Sequence, residues 1–209
     1  AEQNSRRLAR TKSTMGTVDK RYLSYSEIHR TVASLSEAIK EYKPDCMVAI
    51  GGGGFIPARI LRTFIKIPIL TVSVELYCDK TNTRKDRPSK IQWFDSASGV
   101  EDRVRGKRVL VVDEVDDSRT TLQYCVEEIL NNHAPADVGV MVLHNKEKEK
   151  NGVLPSGVSY FAGESFPDVW CVYPWDALDI EEHERKANLN RESEFTRKVS
   201  GNPLIVCSP

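Results

Sequence analysis

Four carboxylates stand within five positions in Asp113-Glu-Val-Asp-Asp117, and the hydroxyl-rich stretch Ser118-Arg-Thr-Thr121 follows at once. The whole segment leaves the apolar run Arg108-Val-Leu-Val-Val112. Its two halves suit different ligands. Hydroxyls and backbone amides at a helix start suit a phosphate monoester, whereas adjacent carboxylates suit vicinal sugar hydroxyls or a divalent cation. Together they describe a phosphorylated sugar held with a metal. A competing reading makes Asp117 and Ser118 ordinary helix caps, with the acids complementing the helix dipole. Four acids this close repel one another unless a cation or hydroxyl donors lie among them, which favours the ligand.

A second candidate is the glycine run Gly51-Gly-Gly-Gly54, which follows the apolar Cys46-Met-Val-Ala-Ile50. The dinucleotide frame G-x-G-x-x-G fails in both registers because Ile56 and Pro57 fill its last position, and no Gly-Lys-Ser/Thr follows to make a Walker A loop. The run is either a flexible strand-to-helix turn or an anion nest of backbone amides, which suits pyrophosphate. The third constellation is Phe166-Pro-Asp-Val-Trp-Cys-Val-Tyr-Pro-Trp-Asp176. It offers a stacking surface and polar edge groups for a planar heterocycle, or aromatic residues for the core.

The elements that must position these groups follow from local patterns. Ser24-Tyr-Ser-Glu27 is a capping box, and Ile28, Val32, Leu35 and Ile39 follow at helical spacing until Pro44. Residues 46–50 read as a buried strand, and a helix with Pro57 in its first turn follows the glycines. Ile69–Val74 is another buried strand, whereas 77–106 reads as a long charged loop. After the strand at 108–112, Leu122, Cys125, Val126, Ile129 and Leu130 form the apolar stripe of a helix. Strands at 138–143 and 158–162 complete the set, with the charged run Lys146-Glu-Lys-Glu-Lys150 between them. Alternating strands and helices imply an α/β fold, a mainly parallel sheet flanked by helices on both faces. In such sheets ligands bind beyond the carboxyl ends of the strands, where the first two candidate segments fall.

Thirty Lys+Arg balance 30 Asp+Glu over 209 residues, and the pI is near 7.1. This argues against a nucleic acid or membrane partner that needs a basic surplus. No apolar run is long enough to span a bilayer, and Ala1–Met15 lacks the apolar centre of a secretion signal, so a cytoplasmic location is expected. Five cysteines without Cys-x-x-Cys spacing suggest free thiols. Residues 1–18 read as a disordered extension, with 1–14 foreign to the natural protein if Met15 is its start. Residues 19–190 read as one domain, and 191–209 as a C-terminal arm.

Val109-Leu-Val-Val-Asp-Glu-Val-Asp-Asp-Ser-Arg-Thr-Thr121 resembles the phosphoribosyl pyrophosphate signature of type I phosphoribosyltransferases. Ala49-Ile-Gly-Gly-Gly-Gly-Phe-Ile-Pro57 and the Asp-x-Trp and Pro-Trp-Asp elements of 166–176 are similar to segments of the purine members, closest to fungal-type hypoxanthine-guanine and xanthine phosphoribosyltransferases. The resemblance covers roughly residues 20–185. It implies a fold with a mobile lid loop at 77–106 and a small hood built from terminal segments. It further implies that Asp113 and Glu114 bind the ribose hydroxyls and help to hold Mg2+, and that Asp117, Ser118, Arg119, Thr120 and Thr121 wrap the 5′-phosphate. Asp117 would be the base near purine N7, and Gly51, Gly52 and Gly53 would bind pyrophosphate. Trp170 would stack on the purine, the Cys171 backbone would face its 2-position, and Asp176 would hold a second Mg2+. Lys146 best matches the family's 6-oxo donor, with Lys148 and Lys150 as alternatives.

Two positions depart from the pattern. Arg119 stands where glycine is usual, and its guanidinium is expected on the phosphate. Gly52 stands where relatives often carry Lys or Arg, which leaves pyrophosphate to magnesium, Arg59, Arg62 or Arg84, Lys85 and Arg87 of the lid. The expected activity is transfer of phosphoribosyl to N9 of a 6-oxopurine by a homodimer. The alternative is a non-catalytic sensor of phosphoribosyl pyrophosphate.

Overall fold

The computed structural model describes residues 19–78, 83–95 and 99–200. In chain order the elements are β1 (Lys20–Tyr22), α1 (Tyr25–Tyr42), β2 (Cys46–Gly51), α2 (Phe55–Ile65), β3 (Ile69–Cys78) and β4 (Thr83–Gln92). They continue with β5 (Arg108–Asp116), α3 (Thr120–His133), β6 (Asp137–Lys146), β7 (Ser159–Phe166), β8 (Trp170–Val172) and α4 (Ile180–Ser200). Short 3-10 turns occupy Glu101–Arg103 and Pro174–Asp176.

Six strands form one sheet in the order β4-β3-β2-β5-β6-β7, parallel except for the antiparallel β3–β4 pair. The central strands are apolar on both faces because both are covered. Met47, Ala49, Leu110, Val112, Met141 and Leu143 pack with Val32 and Ile39 of α1 and Leu61 of α2. Val48, Val109, Val111, Val140 and Val142 pack with Leu122, Cys125, Val126 and Ile129 of α3. Each fully buried Val, Leu or Ile side chain contributes about 1.5–3 kcal/mol. This core aligns the carboxyl ends of β2, β5 and β6 along one edge. The start of α1 is fixed as its sequence indicates: the Glu27 amide donates to Ser24 Oγ at 3.2 Å and the Ser24 amide to Glu27 Oε2 at 2.8 Å.

Two segments differ from expectation, 77–106 and the start of the C-terminal arm. Much of 77–106 is not loop: β3 runs to Cys78, and β4 pairs with it as an edge strand. Thr83-Arg-Lys-Asp-Arg-Pro-Ser-Lys-Ile-Gln92 conceals a strand because charge and proline, tolerated at a sheet edge, replace the apolar alternation of an inner strand. The side chains of Arg84, Lys85 and Arg87 lie outside the described residues. Apart from the six-stranded sheet, residues 20–22 and 170–172 form a small second sheet, in which β1 pairs in parallel with β8. Finally, α4 continues through residue 190 to Ser200, across the expected start of the arm. Its docking stripe is His183, Ala187 and Asn190: His183 Nε2 bonds Leu23 O at 2.9 Å, Asn190 Oδ1 accepts from the Tyr22 amide at 2.8 Å, and Ala187 is buried. The extension at 1–18 and the arm's end at 201–209 lie outside the described residues.

Candidate active site

The glycine turn and the acidic strand end are neighbours because β2 and β5 are paired, with Ala49 opposite Val112. The Gly51–Gly52 peptide is cis. A Cβ at Gly54 would collide with the Val112 and Ile50 carbonyls, so glycine is required there, whereas one at Gly53 would meet only the Glu114 carboxylate, the movable end of a side chain. The Gly54 amide donates to Ile50 O at 2.9 Å, closing the turn onto α2.

The four acids divide into two pairs. Asp116 is fully buried and accepts from Arg119 Nε at 2.9 Å and Nη2 at 2.7 Å and from the Tyr160 hydroxyl at 2.8 Å. Asp117 lies 3.2 Å from Lys146 Nζ and 2.7 Å from Lys148 Nζ. Burial alone would raise the Asp117 pKa, but its hydrogen bonds to these two ammonium groups outweigh burial and hold it below the ordinary carboxylate range. Among the described residues, Asp113 and Glu114 have no such cation. Asp113 is buried, and burial together with the neighbouring Glu114 carboxylate drives its pKa well upward. Glu114 Oε2 is buried without a hydrogen-bond partner. Burial and the Glu114 charge also raise the pKa of Asp176, at the 3-10 turn after β8.

This donor set fits magnesium. It supplies hard carboxylate oxygens and one orphaned acceptor. Among the described residues no three His, Cys, Asp or Glu side chains converge to hold a metal by themselves. Magnesium usually takes one or two protein carboxylates and completes its shell with water and substrate phosphate.

The three lysines of 146–150 have separate surroundings. Lys146, at the end of β6, is buried, and its ammonium lies 5.8 Å from the centroid of the Trp170 ring, itself 59% exposed. Lys148 bridges Asp117 and Asp168, the latter at 3.1 Å. Lys150 turns away and donates to Asp116 O at 2.6 Å, Asp117 O at 3.0 Å and Lys146 O at 2.7 Å. Lys150 is therefore committed to the backbone, leaving Lys146 as the lysine beside the exposed ring. Ser118 Oγ and Thr120 Oγ1 lie 3.1 Å apart at the start of α3. Arg119 departs from expectation, since its guanidinium is bound to Asp116.

Sequence reasoning missed the support beneath this edge. His144 Nδ1 lies 2.7 Å from the Tyr173 hydroxyl, which donates to Glu114 O at 3.2 Å. A carbonyl can only accept, so the single phenolic proton goes to Glu114 and His144 must donate from Nδ1. Burial, with a smaller contribution from the Arg21 charge, pushes the His144 pKa down to about 3 and keeps the ring neutral. Tyr160 was missed too, and Asp168 and Tyr173, though inside the 166–176 segment, were given no role. Asp168 and Tyr173 had a local signal in that segment, whereas Tyr160 had none.

Residues 18–161 match the phosphoribosyl transferase domain, and the chain belongs to that family. Its curated relatives place it among the purine phosphoribosyltransferases. It is 42% identical over 193 residues to the hypoxanthine-guanine phosphoribosyltransferase of Schizosaccharomyces pombe, covering 78% of this chain and 92% of the relative. It is 39% identical over 199 residues to xanthine phosphoribosyltransferase 1 of Saccharomyces cerevisiae, covering 81% and 95%. A hypothetical protein from Neisseria gonorrhoeae solved with bound ppGpp superposes with a TM-score of 0.75 at 47% identity, covering 84% of this chain and 99% of that one. No described helix is long and apolar enough to cross a membrane.

Proposed function

We propose that this chain transfers the 5-phosphoribosyl group of phosphoribosyl pyrophosphate to N9 of a 6-oxopurine, hypoxanthine, guanine or xanthine, and releases pyrophosphate. The observation that carries this reading is the meeting of two half-sites at Asp117. Its carboxylate belongs to the phosphate-type loop, and its partner Lys146 lies beside the exposed Trp170 ring. A sugar phosphate on 117–121 and a purine on Trp170 are thereby adjacent.

In this reading the hydroxyls of Ser118, Thr120 and Thr121 and the nearby amides hold the 5′-phosphate, and Asp113 and Glu114 accept from the ribose hydroxyls. The backbone of Gly51, Gly52 and Gly53 faces pyrophosphate. Trp170 stacks on the purine, Lys146 donates to its 6-oxo oxygen, and the Cys171 backbone borders its 2-position. Asp117, ionised at neutral pH, accepts or relays the N7 proton as the base bonds to ribose C1. Mg2+ bound by Glu114, with a second ion at Asp176, would supply charge neutralisation for the departing pyrophosphate. The residues themselves lower the barrier by orienting two bound substrates. The Neisseria relative binds ppGpp, a guanine nucleotide, which is in keeping with a guanine-accepting protein.

Free thiols at Cys46, Cys125 and Cys171 accord with work in the reducing cytoplasm. Pairing of two chains belongs to the same reading and is measured by sedimentation. The test is incubation with phosphoribosyl pyrophosphate and Mg2+ plus hypoxanthine, guanine, xanthine or adenine. Nucleotide from at least one 6-oxopurine and little from adenine is expected. No nucleotide from any base would favour the sensor.

A further inference from the structure

Arg119 occupies φ 65° and ψ 0° directly before α3, a left-handed conformation that a Cβ disfavours. Its guanidinium does not reach outward. It forms two bonds to the fully buried Asp116 and lies over the Tyr160 ring, 5.2 Å from the centroid, while the Tyr160 hydroxyl bonds the same Asp116 oxygen. The loop's carbonyls are also occupied by protein. Lys150 Nζ takes Asp116 O and Asp117 O, and the amides of Asn151 and Gly152 take Ser118 O at 3.0 and 3.1 Å. A Cβ at Gly152 would strike the Arg119 carbonyl, so the 150–152 turn is pressed against the loop. Carbonyl and following amide point in opposite directions across a trans peptide. Pinning the carbonyls of 116–118 on one side therefore turns the amides of 117–119 to the other.

We propose that Arg119 is a positioning residue, which together with Asp116, Tyr160 and the Lys150–Gly152 turn locks the 117–121 loop with its amides facing the 5′-phosphate before substrate arrives. The side chain stands in for the glycine expected at this position: the bond to Asp116 offsets the cost of a left-handed backbone. This deepens the proposed function and rests on it in assigning the 5′-phosphate to this loop.

The claim separates Arg119→Ala from Arg119→Gly. Alanine keeps the Cβ and loses the anchor, whereas glycine loses the anchor but accepts the backbone. Two readouts are taken for each variant: the Kd of ribose 5-phosphate by calorimetry, and kcat with KM for phosphoribosyl pyrophosphate and for the purine. Arg119→Ala should weaken ribose 5-phosphate and raise KM for phosphoribosyl pyrophosphate about tenfold, with the purine KM within about twofold, because only the left-handed turn is disfavoured. Arg119→Gly should regain at least about threefold of that loss. Tyr160→Phe should weaken binding about threefold alone and add nothing in the Arg119→Gly background, since its hydroxyl acts on the loop by holding Asp116 for Arg119.

Equal losses for Ala and Gly, or a larger loss for Gly, would mean that the guanidinium touches the phosphate itself and would overturn the proposal. A loss of kcat alone, with both KM values unchanged, would also overturn it. If wild-type protein makes no nucleotide yet the order Ala weaker than Gly holds for ribose 5-phosphate, the transferase reading fails and the loop device stands. Where Arg119→Ala does not fold, Arg119→Gln, which keeps the Cβ without the charge, carries the same comparison.

Discussion

Asp117→Asn tests the proton-transfer role with little change of shape. The carboxylate is held by Lys146 at 3.2 Å and Lys148 at 2.7 Å, and its pKa lies below the usual range despite partial burial. At pH 6–9 it is therefore ionised and able to accept a proton. Asparagine keeps the size and one acceptor oxygen but cannot take up the proton. A positioned general base contributes about 10²–10⁴-fold, so kcat should fall by that factor, a barrier increase of about 3–5 kcal/mol. The side chain is 47% exposed, so the lost ion pairs are screened and the stability cost is about 1 kcal/mol or less. That corresponds to a Tm drop of at most about 4 °C for a domain of this size. The sign of the pH effect follows from the depressed pKa. Stability from the pair is complete above the unfolded value of about 3.9 and is lost as pH falls through the lower folded value. Variant and wild type should thus differ in Tm by a constant amount from pH 6 to 9 and converge only in acid. The assay is steady-state nucleotide formation with both substrates varied. An unchanged kcat would remove Asp117 from the chemistry, and a tenfold rise in KM for phosphoribosyl pyrophosphate with kcat intact would make it a binding residue instead.

Three further outcomes are expected. Trp170→Ala should raise the purine KM about tenfold, the worth of roughly 1–3 kcal/mol of base stacking, with KM for phosphoribosyl pyrophosphate little altered; an unaltered purine KM would relocate the pocket. Glu114→Gln removes a charge from the acid pair that has no cation partner among the described residues, so half-maximal activity should need severalfold more Mg2+, and an identical magnesium titration would count against Glu114 as ligand. Tyr173→Phe orphans the buried His144 Nδ1 proton at a cost of about 1–3 kcal/mol, a Tm drop of about 2–12 °C by differential scanning calorimetry. A Tm within 1 °C of wild type would mean that His144 is not a donor to Tyr173.

The parts of the molecule visible in the sequence are those governed by local pattern. The capping box at Ser24, the apolar strands at 46–50 and 108–112, and the stripe Leu122–Ile129 announce themselves because each is a short-range arrangement buried on a known period. β4 and α4 were hidden because their sequences are polar. An edge strand needs no apolar alternation, and a helix docked through His183, Ala187 and Asn190 presents no apolar stripe. The site was legible as motifs and illegible as a charge arrangement. Sequence showed four adjacent acids and a run of lysines. Only the fold reveals that Arg119 and Lys150 secure Asp116 and its carbonyl, that Lys146 and Lys148 secure Asp117, and that Asp113 and Glu114 are left for a ligand. The lysine pairings cross from β5 and its loop to the end of β6 and the loop after it, and no local period encodes them.

The central claim is that one edge of the sheet binds a phosphorylated ribose and a purine and joins them. Its most direct measurement is the product balance of purified protein with phosphoribosyl pyrophosphate, Mg2+ and hypoxanthine, quantifying nucleotide and pyrophosphate together. Equal amounts of purine nucleoside monophosphate and pyrophosphate, formed catalytically, are the predicted result. Pyrophosphate released without nucleotide, or neither product from hypoxanthine, guanine or xanthine, would contradict it.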